Sequence, residues 1–129
     1  MAAEPDLLFV YGTLRPGLSS EGSRLVRDLE SLGEATVRGV LYDLGDYPGM
    51  VVGDGLVHGD VLRVKSMEQL AALDTYEECD RPAPLFHRIV TTARSRDGSE
   101  CMAWVYVYAR EVADATRIDH GDYAAWRSR

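Results

Sequence analysis

Apolar, β-branched runs broken by glycine clusters are what most limit the folds open to this chain. Ala35 to Leu44 reads as a strand carrying Val37, Val40, Leu41 and Tyr42, with Gly39 as a candidate bulge. Gly45-Asp46-Tyr47-Pro48-Gly49 reads as a turn, Met50 to Val52 as a short strand, and Gly53-Asp54-Gly55 as a second turn. Leu56 to Val64 follows as another strand, so turns recur roughly every ten residues, which favours a barrel or a curled antiparallel sheet. Further on, Phe86 to Arg94 and Cys101 to Ala109 form a strand pair around Arg96-Asp97-Gly98-Ser99, where Asp-Gly marks a hairpin. The second member of that pair is apolar on both faces, Val105 and Val107 against Met102, Trp104, Tyr106 and Tyr108. That load predicts a central strand.

Two stretches carry helical spacing instead. Leu25, Val26, Leu29 and Leu32 lie at i, i+1, i+4 and i+7, with cap residues in Ser19 to Ser23 before them and Gly33 at the C-cap position. Ser66-Met67-Glu68-Gln69 is a capping box, and the helix it opens runs through Tyr76 with Leu70 and Leu73 on its apolar face. Residue 77 falls on that same face, four after Leu73 and seven after Leu70. It is Glu77. Asp80 to Pro84 is an irregular connection with two prolines, and Arg110 to Arg129 is polar, anchored by Ile118, Tyr123 and Trp126.

The 129 residues suit one domain, 1–129, able to bury roughly two-thirds of its unfolded surface without disulfides or metal. A net charge of −7 argues against nucleic acid and against an anionic membrane surface, but not against a small anion held by local amides. Cys79 and Cys101 form no Cys-x-x-Cys pair, and residues 1–6 carry no secretory signal, so a cytoplasmic protein is expected. No apolar run approaches the ~20 residues of a membrane span. His58, His87 and His120 lack ligand spacing, so no metal is expected.

Leu7-Leu8-Phe9-Val10-Tyr11-Gly12-Thr13-Leu14-Arg15-Pro16-Gly17 passes from a strand into a glycine-containing loop. Amides left without ladder partners there can cradle an anion, although a strand followed by a plain turn has the same pattern. A core-facing Glu77 would have a raised pKa suited to acid/base work; alternatively it bends to solvent or pairs with Arg81 or Arg88. Asp74, three residues earlier, is a candidate second catalytic carboxylate, although a local cap or ion pair is the more ordinary role. No serine lies in a Gly-x-Ser-x-Gly context.

Together Phe9-Val10-Tyr11-Gly12-Thr13-Leu14-Arg15-Pro16-Gly17, Gly39-Val40-Leu41-Tyr42-Asp43, Tyr47-Pro48-Gly49, Leu73-Asp74-Thr75-Tyr76-Glu77 and Phe86-His87-Arg88 resemble the gamma-glutamylcyclotransferase-like (AIG2-like) family. The likeness covers roughly Leu7 to Tyr123. It implies an α+β fold: a small mixed, mainly antiparallel β-barrel flanked by helices, with a cavity at one mouth. It implies a substrate loop at Tyr11, Gly12, Thr13, Leu14 and Arg15, a catalytic acid/base at Glu77, a small γ-glutamyl substrate and no cofactor. Departures are Glu78 where the family has glycine, Phe86 for a tyrosine, and Gly121-Asp122-Tyr123 near the end.

The implied chemistry suits these parts. The α-amine of a γ-glutamyl amine or amide attacks its own γ-carbonyl, giving 5-oxoproline and a free amine. Ring closure is intramolecular, so orientation supplies much of the acceleration and no protein nucleophile is needed. Glu77 would act as base and then acid, the loop amides would hold a carboxylate or oxyanion, and Arg15 would add charge or remain a solvated loop residue. Tyr11 and Tyr108 are candidate pocket walls, although buried tyrosines at strand positions are more often core. The rival is a non-catalytic module binding a small molecule or a protein on the same barrel, as a monomer or homodimer; a third reading is hydrolysis with external water.

Overall fold

The computed structural model describes residues 5–12, 14–15, 24–79 and 82–127. The strands are β1 (Leu7–Val10), β2 (Glu30–Asp43), β3 (Pro48–Arg63), β4 (Phe86–Ser95), β5 (Glu100–Tyr108) and β6 (Thr116–Ile118). Helix α1 spans Met67–Tyr76 and α2 spans Tyr123–Arg127, and a helical turn occupies 24–26. The sheet order is β3-β1-β5-β4-β2-β6, and a further β2–β3 pairing closes the first five into a barrel. β1 runs parallel to β5. The other pairings are antiparallel, so the barrel is mixed and mainly antiparallel. Among the described residues, no helix is long and apolar enough to cross a membrane.

Two expectations are corrected in β2 and β3. Leu32 and Gly33 do not end a helix; they lie in β2, whose ladder with β3 begins at Glu30 opposite Arg63. Strand pairing takes residues that helical spacing also allows, and leaves Leu32 42% exposed. The left-handed φ of Gly33, +103°, serves a register shift after Ser31 instead of a helix cap. The expected caps in Ser19 to Ser23 lie outside the described residues. Gly53-Asp54-Gly55 is likewise no turn: β3 runs through it, bulging between the Val40–Val51 and Arg38–Leu56 pairs. A Cβ on Gly55 would stand 2.8 Å from the Gly39 carbonyl oxygen, so glycine permits that approach.

Period-two alternation in β1 builds both cores. Phe9 joins Val37, Leu41, Met50, Val57, Val61, Ala103 and Val105 inside the barrel. Leu8 and Val10, on the opposite face, join Leu62, Leu70, Leu73, Leu85 and Phe86 beneath α1. Ser66 caps α1 by accepting from the Gln69 amide, while the Gln69 side chain accepts from Lys65 N–H. Burying Leu70 and Leu73 stabilises this docking by roughly 1.5–3 kcal/mol per side chain.

Candidate active site

The end of α1 aims the key carboxylate. The Glu78 amide bonds the Thr75 carbonyl and the Cys79 amide bonds the Asp74 carbonyl, a Schellman ending. That motif needs a left-handed residue just after the cap, and Glu78 takes it with φ of 57°. Glycine normally fills such a position, because a Cβ is disfavoured there. Glu77 is the cap residue itself, its amide still bonded to the Leu73 carbonyl. Its side chain therefore follows the apolar face of Leu70 and Leu73.

Glu77 lines a cavity of about 320 Å³ together with Tyr11, Gly12 and Leu14 of the N-terminal loop. Val10, Tyr47, Pro48, Leu85 and Tyr106 supply further wall. Such a volume lies at the small end of the ~300–1,000 Å³ typical of ligand pockets. Glu77 is half-buried, and its carboxyl has no hydrogen-bond or ion-pair partner among the described residues. Burial pushes its carboxyl up to about 7, and the neighbouring charge of Glu78 adds to the rise. Arg88, one alternative partner, is taken by Asp74 in a two-pronged pair at 2.8 and 3.2 Å. Arg81 lies outside the described residues.

The loop is fixed by three contacts. A Cβ on Gly12 would stand 2.6 Å from Pro48 Cγ, so the absence of a side chain lets the loop lie against that ring. The Arg15 amide donates to the Gly12 carbonyl at 2.9 Å, closing a tight turn. The Arg15 guanidinium donates to Asp60 at 2.9 Å and Asp122 at 3.1 Å. Both its amide and its charge are therefore engaged within the protein, and Arg15 braces the loop from behind without lining the cavity. Thr13 lies outside the described residues.

Tyr11 presents its ring to the cavity but has no spare hydroxyl. It donates to the Tyr106 carbonyl at 2.6 Å and accepts from the Met50 amide at 3.1 Å. Burial, with the charge of Glu77 next in weight, holds this phenol far above its ordinary pKa. The sequence left Tyr108 either a wall or a core residue; it is Tyr106, two residues earlier on the same face, that lines the cavity. Tyr108 instead packs edge-on against Phe86 at 5.5 Å. The periodicity held both tyrosines, and the signal separating them is register: Tyr106 stands opposite Arg88 on β4.

Comparison with known proteins agrees with this geometry. Residues 8–125 match the family described as gamma-glutamyl cyclotransferase, AIG2-like. The gamma-glutamylcyclotransferase family protein YtfP of Escherichia coli is 36% identical over 117 residues, covering 90% of this chain and 94% of that one. Its solution structure superposes with a TM-score of 0.69 over 95% of this chain and 99% of that chain, at 33% identity. The gamma-L-glutamyl-butirosin B gamma-glutamyl cyclotransferase of Niallia circulans is 36% identical over 115 residues, covering 86% of this chain and 72% of that one. With the match spanning nearly all of the barrel and both edges of its cavity, this chain belongs to the AIG2-like gamma-glutamyl cyclotransferase family.

Proposed function

We propose that this protein releases 5-oxoproline and a free amine from a γ-glutamyl amine or amide, with Glu77 as its acid/base. The observation that carries this reading is a carboxylate with no partner among the described residues, lining the same small cavity as the loop after β1. In the bound substrate the α-amine forms a bond to Cδ, the carbonyl carbon of the γ-glutamyl amide, and the bond from that carbon to the leaving nitrogen breaks. Glu77 takes the proton released by the attacking amine and returns it to the departing one. A pKa near 7 suits both transfers, since each form is populated at neutral pH. Tyr11, Gly12 and Leu14, which line the cavity, form the glutamyl subsite. There, loop amides not used by the Arg15 turn hold the α-carboxylate or the developing oxyanion. Arg15 keeps that loop in place through Asp60 and Asp122.

The test is 5-oxoproline release from a panel of γ-glutamyl amines. Glu77→Gln should lower the rate by about 10²–10⁴, the usual contribution of a general acid/base, while the fold survives. Undiminished turnover by that variant would remove Glu77 from the mechanism. Appearance of glutamate in place of 5-oxoproline would mark hydrolysis by external water.

A further inference from the structure

We propose that Tyr106 is a specificity-determining residue, its phenol oxygen receiving the α-ammonium of the bound glutamyl group because Asp74 holds its only hydroxyl hydrogen. This rests on the reading of the cavity as a γ-glutamyl site. The Tyr106 hydroxyl donates to Asp74 at 2.7 Å. Asp74 is a fixed acceptor: Arg88 grips both of its oxygens, and the guanidinium lies 4.2 Å over the Trp104 ring. Trp104 is tied in turn by its indole N–H to the Pro5 carbonyl at 2.8 Å. At its other end Tyr106 is anchored through its backbone carbonyl, which accepts from Tyr11.

The consequence is chemical. A phenol whose hydrogen is committed can only accept from a ligand. Tyr106 and Glu77 both line the cavity, and on this reading its wall offers a neutral acceptor at the first and an ionisable one at the second. An ammonium needs acceptors and repels donors, so this pair selects a free α-amine over an acylated or missing one. The division of labour is clear: Glu77 moves the proton, Tyr106 orients the nitrogen. Asp74, although only three residues from Glu77, acts through Tyr106 as a positioning residue. Its charge is answered by Arg88, so it does not compete for the ammonium.

The probes are 2-amino-5-propoxypentanoate and 5-propoxypentanoate. They lack a γ-carbonyl, cannot cyclise, and differ only in the α-amine. In the unmodified protein, calorimetry should show the amine-bearing probe binding at least about tenfold tighter, as a hydrogen bond to a charged group requires. In Tyr106→Phe that ratio should fall to about twofold or less, and KM for a γ-glutamyl amine should rise about tenfold. Asp74→Asn should lower the ratio in the same way, since its amide can donate to the phenol oxygen and free the hydroxyl hydrogen to meet the ligand. A ratio that stays unchanged in Tyr106→Phe, with both probes weakened alike, would make the tyrosine merely structural and overturn the proposal. The ratio needs no turnover, so it reads Tyr106 whatever the fate of Glu77 in catalysis.

Discussion

The barrel interior and the helix-covered face of the same strands are both apolar, yet one is filled and the other is left open. Inside, Val37, Leu41, Met50 and Val57 are each at most 1% exposed and do not line the cavity, although Phe9 and Tyr11 of the same cluster do. Outside, Val10, Leu14, Leu85 and Tyr106 are also buried, but together with Glu77 they border empty space. Hydrophobic burial acts on both faces alike. The difference comes from the covering element: β-strands close on themselves, whereas α1 stops at Tyr76 and its Schellman ending turns a carboxylate where another leucine could have packed. The interior supports the fold, and the unfinished outer core holds the proposed site.

The largest test of this contrast is Leu41→Ala. Deleting a side chain that fills the barrel away from the cavity should cost about 2–5 kcal/mol, read as a fall in the denaturant midpoint. A loss below about 1 kcal/mol would show that the interior is as loosely filled as the outer face. A matched pair of enlargements comes next. Ala103→Leu, at a fully buried interior site, should destabilise by about 1–3 kcal/mol through overpacking. Leu14→Phe can expand into the cavity, so its stability should change by less than about 0.5 kcal/mol while ligand binding is lost. Equal destabilisation by both would mean that the cavity is not real free volume.

Much of this was legible in the residues, and the failures have identifiable causes. The capping box at Ser66, the period that carries Leu70 and Leu73 on to Glu77, and the Asp97-Gly98 hairpin are local signals, and local interactions decide them. Leu32 and Gly33 failed because their spacing fits a helix, while the partner that claims them, Arg63 to Val61 on β3, lies some thirty residues away. Gly53 and Gly55 failed because glycine serves a turn and a close backbone approach equally well. Arg15 illustrates a limit of site reading: its charge was visible, but Asp60 and Asp122, which answer it, are brought near only by closure of the barrel. Tyr106 needed a register that alternation alone does not supply.

The smallest expected effect sharpens the contrast at the residue that joins its two halves. Glu78 occupies a backbone conformation that disfavours a side chain, beside a carboxylate whose pKa its charge helps to raise. Glu78→Gly removes both burdens. Relief of the left-handed conformation should stabilise the protein by up to about 1 kcal/mol, offset in part by the greater freedom of glycine in the unfolded chain. The pH effect has a definite sign. In the proposed mechanism Glu77 must be ionised to act as base, so kcat/KM should fall as pH drops through its pKa of about 7. Removing a neighbouring negative charge makes ionisation easier, so the acidic limb should move to lower pH by a fraction of a unit. Burial is the larger cause of the raised value, so the limb should remain well above 4.5, the ordinary value for a glutamate. A limb that reached 4.5 would assign the perturbation to Glu78 instead of the unfinished core, and a limb that did not move at all would show that the two carboxylates do not sense each other.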